Sequence, residues 1–254
     1  MGIKFRLIVM NFLQYAIWGS WLISLGAYLG GGLDFTGLQI GSFFATMGVA
    51  SLFMPAVMGI IADRWIPAQK LLGICHLVSG GFLIAAASQT AYGPLYSCML
   101  LSVMFYMPTI ALSNSVAYNA LDLARLDTVK HFPPIRVWGT VGFIAAMWFV
   151  DLTHIGGVQI KLTEWQLYVS AVLSFLLSVY SFSLPGCPVD RNVKARSWVD
   201  TLGLRAFTLF KEKRMAIFFV FSMLLGAALQ ITNAFGDSYI QSFGSMPQYA
   251  DSAI

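Results

Sequence analysis

Charge is what this chain has least of. Of 254 residues, 10% are Asp, Glu, Lys or Arg, while 58% are hydrophobic. Soluble domains carry about 25% charged residues, so a water-soluble globular protein is excluded. The net charge of +4 is too thinly spread to suggest nucleic acid as a partner. Cysteine is also scarce: Cys75 and Cys98 lie in apolar runs and Cys187 in a polar loop, which excludes a disulfide framework or a paired-cysteine metal site. His76, His131 and His154 are scattered, with no HExxH and no GxSxG stretch. No enzyme, cofactor or metal centre is therefore expected. Short alternating segments are lacking too, which argues against a membrane β-barrel.

What is present is a series of long apolar runs. Each is long enough to cross a ~30 Å hydrocarbon core as a helix. Seven spans are placed at 7–29, 39–62, 71–88, 93–119, 134–151, 166–185 and 215–237. The basic start and long first run, without a small-residue cleavage site, read as a retained span rather than a signal peptide. Lysine and arginine concentrate at the N-terminus and in the even-numbered loops; Lys161 alone falls in an odd-numbered loop, and Arg136 falls inside a span. By the positive-inside rule the N-terminus is cytoplasmic. That argues against a seven-span receptor, whose N-terminus is usually outside.

The longest hydrophilic segment joins spans six and seven. Ser197 and Asp200 have capping-box spacing there, and Trp198, Leu202, Leu209 and Phe210 alternate with basic residues. A helix on the membrane surface and an ordinary linker helix both fit. Three units follow: a six-span bundle at 1–185, a cytoplasmic linker at 186–214, and the first span of a second bundle at 215–254. Six spans, a basic connection and one further span suggest one half of a two-bundle transporter plus a fragment of the other. A truncated reading frame is the expectation, with the C-terminal half missing.

Polar groups inside hydrocarbon need a partner or a wet cavity. In span one, Asn11, Gln14, Trp18 and Trp21 share a helical face that suits either a cavity wall or helix–helix contact. Span four carries Pro108, Thr109, Ser113, Asn114 and Asn119, which favour a hinge and packing. In span five, Pro133 and Pro134 suit a first helical turn, and Arg136, Thr140, Phe143 and Met147 follow on one face beside Gly139 and Gly142. One turn from the start, Arg136 can snorkel to headgroups or meet a specific acceptor. In span seven, Gly226, Gln230, Asn233 and Asp237 align, and a cavity-facing role is expected for the amides. Gly59, Asp63 and Arg64 end span two, as a gate or as a solvated charge pair.

The stretches "FLQYAIWGSWLISLGAY", "MPAVMGIIADRW", "FPPIRVWGTVGFIAAMW" and "KRMAIFFVFSMLLGAALQITNAFG" resemble the nucleoside:proton symporters of the major facilitator superfamily, bacterial inner-membrane permeases. The resemblance runs from Phe12 to Gly236. It implies an all-α polytopic membrane fold of twelve spans in two halves, with a nucleoside and protons as the translocated partners and the lipid bilayer as surroundings. It implies substrate contact for Arg136, Thr140, Phe143, Gln230 and Asn233, with Gln14 and Trp18 on span one as further candidates, and gating for Asp63 and Arg64. The usual second glycine and following basic residue of the loop motif are absent. Asp237 departs from the uncharged residue expected there and receives no role. The acidic groups suited to proton coupling would lie in the half beyond this chain, so the fragment alone would not transport. A monomer is expected. A symporter of a sugar or other polar solute on the same fold, or a non-transporting fragment, remain alternatives.

Overall fold

The structure is a computed structural model and describes residues 2–189 and 204–244. Its helices follow the seven apolar runs. α1 spans Ile3–Gly19, α2 Gly37–Arg64, α3 Ala68–Ala87, α4 Tyr92–Leu123, α5 Thr128–Leu152, α6 Trp165–Ser181 and α7 Lys213–Gly244. Five of these, α2 to α5 and α7, are long and apolar enough to cross a membrane on their own.

The first span departs from one continuous helix. α1 ends at Gly19, Ser20 Oγ donates back to the Ala16 carbonyl at 2.8 Å, and the chain resumes as a short helical turn at Leu25–Ala27 followed by a π-helical turn at Tyr28–Gly32. A serine hydroxyl that returns to the i−4 carbonyl bends a helix in this way. The break is invisible in composition because Trp21, Leu22 and Leu25 are themselves buried core residues.

The start of the fifth span also differs. Asp127 caps α5, its carboxylate accepting from Val129 N at 2.9 Å, so the helix begins at Thr128 rather than at residue 134. Pro133 and Pro134 lie inside the helix. Arg136 is therefore eight residues into α5, or ~12 Å at the standard rise, and not one turn in. α2 begins on a reciprocal cap in which Thr36 Oγ1 accepts from Gln39 N and the Gln39 side chain accepts from Thr36 N. Between α5 and α6 the all-α expectation meets one exception. His154–Ile155 and Val158–Gln159 pair antiparallel across Gly156 and Gly157, whose φ of +59° and +85° suit a two-residue hairpin turn.

The bundle packs α1 against α5 and α6, α3 against α4 and α6, and α2 against α4. The tightest of these contacts is the α1–α5 crossing. Gly142 lies on the backbone of Phe12, and Gly19 lies on the backbone of Phe143, so that a Cβ at either glycine would collide with main chain. Small residues allow backbones to approach this closely in membrane helices, where packing and hydrogen bonds replace the hydrophobic drive.

α6 supplies hydrogen bonds in place of small residues. Ser170 Oγ donates to the Ile17 carbonyl (2.9 Å), Ser174 Oγ to the His76 carbonyl (2.9 Å) and Ser178 Oγ to the Gly73 carbonyl (2.8 Å). Ser24 Oγ donates to Gln166 Oε1 at 2.8 Å. The i, i+4, i+8 serine spacing in span six is the sequence signal for this ladder. Beyond α6, Asn119 Nδ2 donates to the Gly186 carbonyl and Cys187 N donates to Gln69 Oε1, which ties the exit of the bundle back to α4 and α3. Burial there pushes the Cys187 thiol above its ordinary pKa, partly opposed by these amide contacts.

Of the surface helix expected from Ser197 to Arg214, the part that holds Ser197, Trp198, Asp200 and Leu202 lies outside the described residues. Leu204–Lys211, which contains Leu209, is a 3-10 helix, and Phe210 stacks on Phe219 of α7. α7 itself is apolar and almost wholly uncovered, with Ile217, Phe221, Leu224 and Leu229 each about 60% exposed. A helix that is apolar on all sides is stable only against lipid or other helices.

Substituting Gly142→Ala should destabilise the protein by about 3 kcal/mol, the upper range for overpacking. Gly81→Ala, where a Cβ meets open space, should change stability by less than about 1 kcal/mol. Thermal unfolding of both variants in detergent measures the difference.

Candidate functional site

A cavity of about 840 Å³ opens between the bundle and α7. Small-molecule clefts run from about 300 to 1,000 Å³. Trp18 contributes from α1, Phe44 and Met47 from α2, Met107 from α4, and Gln230 and Phe235 from α7. On the α2 side the wall is a stripe of small residues, Gly41, Ala45, Gly48 and Ser51. That i, i+4, i+7, i+10 spacing was readable in span two and is the part of the site that sequence reasoning missed. Phe44 meets Phe235 across the cavity lining at 6.3 Å between ring centroids.

Trp18 is the hub of the aromatic wall. Its ring lies 6.5 Å from Phe143 in an edge-on arrangement and 6.1 Å from Tyr106. The Trp18 Nε1 atom is buried without a hydrogen-bond partner, and so is Gln230 Nε2. Two unpaired N–H donors on opposite walls of one cavity are costly unless something accepts from them.

The expected site residues divide into three groups. Trp18 and Gln230 come together in the cavity, with Phe143 packed against Trp18. Arg136, Thr140 and Asn233 are not among its lining residues. Arg136 is half-buried and Thr140 exposed on the same face of α5, two turns and one turn before Phe143 respectively, and Asn233 is half-buried one turn along α7 from Gln230. That α5 face ends at Met147, which lines a second space of about 220 Å³ with Trp148, Ser24, Asp151 and Lys161. There Lys161 Nζ contacts Asp151 Oδ1 at 2.6 Å.

Gln14 does not line the cavity. It faces the bundle interior, wholly buried, and its amide is already satisfied. Thr109 Oγ1 donates to the Tyr106 carbonyl at 2.5 Å, so it must accept from Gln14 Nε2, 2.7 Å away. Gln14 Oε1 then accepts from His76 Nε2 at 2.9 Å. This chain of donors places the ring proton of His76 on Nε2. Ser174 Oγ lies 3.3 Å from His76 Nδ1, and Tyr106 Oη donates to the Gln14 carbonyl at 2.6 Å. Four helices thus share one polar knot directly behind Trp18. His76, read as an isolated residue in the sequence, is its centre.

Asp63 and Arg64 end α2, exposed and half-buried respectively. Among the described residues neither takes part in a salt bridge. No Asp or Glu is among the buried polar residues of the described bundle. The side chain of Asp237 lies outside the described ones.

A bundle of apolar helices with a cleft walled by aromatic rings and unpaired amide and indole donors defines a polytopic membrane protein with a candidate ligand site. The family described as Nucleoside H+ symporter matches residues 1–253, and the chain belongs to that family. It is 50% identical over 254 residues to the xanthosine permease of Escherichia coli K12 and 45% identical to its nucleoside permease NupG; the match covers the whole chain and 60% of each relative. A crystal structure of the nucleoside transporter NupG, in a mutant form, superimposes with a TM-score of 0.87, covering 100% of this chain and 62% of that one. The fold is therefore that of the major facilitator superfamily, and the protein is a multi-pass membrane protein. The chain spans about three-fifths of the length of these relatives.

Replacing Gln14 with leucine should cost about 1–3 kcal/mol, because it leaves the buried His76 Nε2–H without its acceptor. Detergent unfolding curves of Gln14→Leu against the parent protein test this.

Proposed function

We propose that this chain supplies one bundle and the first span of the second in a proton-coupled nucleoside importer of the bacterial inner membrane, with its N-terminus in the cytoplasm. The observation that carries the reading is the cavity itself. Trp18 and Phe143 offer flat aromatic surface to a base. Gln230 and the Trp18 indole offer hydrogen-bonding groups that lack partners within the protein. A nucleoside presents a planar base edged with acceptors and a ribose with several hydroxyls, and amides pair with both. Arg136, Thr140 and Asn233 extend the same faces toward a ligand seated between two bundles, and Asp63 with Arg64 would act at the gate between transport states.

Proton coupling needs a carboxylate whose protonation biases one conformation over the other. The described bundle holds no buried carboxylate among its core residues, so the coupling group is proposed to lie in a second bundle, corresponding to the part of the relatives beyond the match. Alternating access would then rock one bundle against the other around the shared cavity.

Cells expressing residues 1–254 alone should show no uptake of radiolabelled uridine above background, and robust uptake would overturn the two-bundle requirement. In the two-bundle protein, adenosine and uridine should compete with labelled uridine while glucose should not. Competition by glucose alone would favour a sugar symporter. Arg136→Lys should reduce nucleoside uptake by about tenfold, because a lysine cannot reproduce the planar fork of the guanidinium.

A further inference from the structure

Arg136 is held in an unusual way for a cation in a membrane span. Such a residue ordinarily pairs with an acid or with backbone carbonyls. Here its guanidinium carbon lies 3.8 Å from the centroid of the Tyr15 ring. Among the described residues no carboxylate forms a salt bridge with it. The stack is built into the α1–α5 crossing. A Cβ at Gly139 would come 2.6 Å from Tyr15 Cδ2 and 2.8 Å from Arg136 Nη1, so only glycine leaves room for both. Tyr15 is itself 7% exposed, and its hydroxyl makes no hydrogen bond of standard geometry, although Arg136 lies near enough to act on it. The well-formed contact that this tyrosine makes with the guanidinium is therefore through its ring face.

We propose that Tyr15 is a positioning residue, whose ring carries the Arg136 charge in place of a counter-ion and leaves the guanidinium N–H donors for a ligand. The inference rests on the nucleoside reading above for the identity of that ligand. The chemistry separates two directions of contact. A carboxylate would engage the in-plane N–H fork bidentately and occupy the donors that a neutral ligand needs. An aromatic face instead stabilises the cation from above its plane. The in-plane donors then remain available for the carbonyl oxygens of a base or the hydroxyl oxygens of a ribose. Tyr15 also lies on the same helical face as Trp18, one turn nearer the start of α1, so the ring that holds Arg136 and the ring that lines the cavity are 6.5 Å apart.

The test uses the intact two-bundle protein in detergent, with four variants: Tyr15→Phe, Tyr15→Leu, Arg136→Gln, and Tyr15→Leu combined with Arg136→Gln. Uridine affinity by calorimetry and ligand-free melting temperature are both read. Tyr15→Phe should bind uridine as the parent does, because the ring is kept. Tyr15→Leu should bind roughly 3- to 30-fold more weakly, the span of ordinary cation–π strengths. In the Arg136→Gln background Tyr15→Leu should have no further effect on affinity. The two single substitutions should lower the melting temperature less than additively when combined. A loss in Tyr15→Phe equal to that in Tyr15→Leu would overturn the proposal, as would an undiminished effect of Tyr15→Leu without Arg136. Additive melting shifts would overturn the pairing whatever ligand binds. If the parent does not bind uridine but the melting shifts are coupled, the nucleoside reading fails and the pairing stands.

Discussion

The close crossing of α1 and α5 is the contact on which the rest of the site depends. Gly19 and Gly142 remove the side chains that would hold the two backbones apart. With the helices in backbone contact, Phe143 reaches Trp18 and Arg136 reaches Tyr15. A side chain at either glycine would separate all four groups at once. The aromatic wall and the half-buried cation are thus consequences of one packing decision.

Behind that wall the bundle is tied by polar groups rather than by volume alone. In lipid a buried hydroxyl or amide has no water as an alternative partner, so each one selects a particular neighbour. The Gln14–His76–Thr109–Tyr106 knot fixes the rotation of α1 relative to α3 and α4. That rotation turns Gln14 into the bundle interior and leaves Tyr15 and Trp18 beside α5. The serine ladder of α6 locks the same helices from the other side. Among the described residues, α7 takes no part in this network.

Legibility in the sequence followed the strength of the local signal. The seven apolar runs located seven helical segments because a 20-residue hydrocarbon-crossing stretch needs no tertiary information. Helix ends were less readable. Pro133 and Pro134 look like a helix start, yet Asp127 caps the helix six residues earlier and tertiary packing absorbs the prolines. The break after Gly19 is hidden because its residues are as apolar as those around it. The Gly156–Gly157 pair did signal a turn, but the strands on either side are two residues each, too short to show a period.

The face shared by Arg136, Thr140 and Phe143 follows from helical geometry alone, since positions i, i+4 and i+7 must align on any α-helix. The family followed from long matching stretches of sequence. Which of the polar residues turn toward the cavity was decided only by tertiary structure. Asn11, Gln14 and Trp18 lie within one arc of α1, and periodicity cannot separate them. Their fates diverge because His76 and Thr109 happen to stand opposite Gln14, whereas Trp18 meets open space and Phe143. A hydrogen bond between helices far apart in sequence has no local signature, and that is why the sequence named the candidates while packing chose among them.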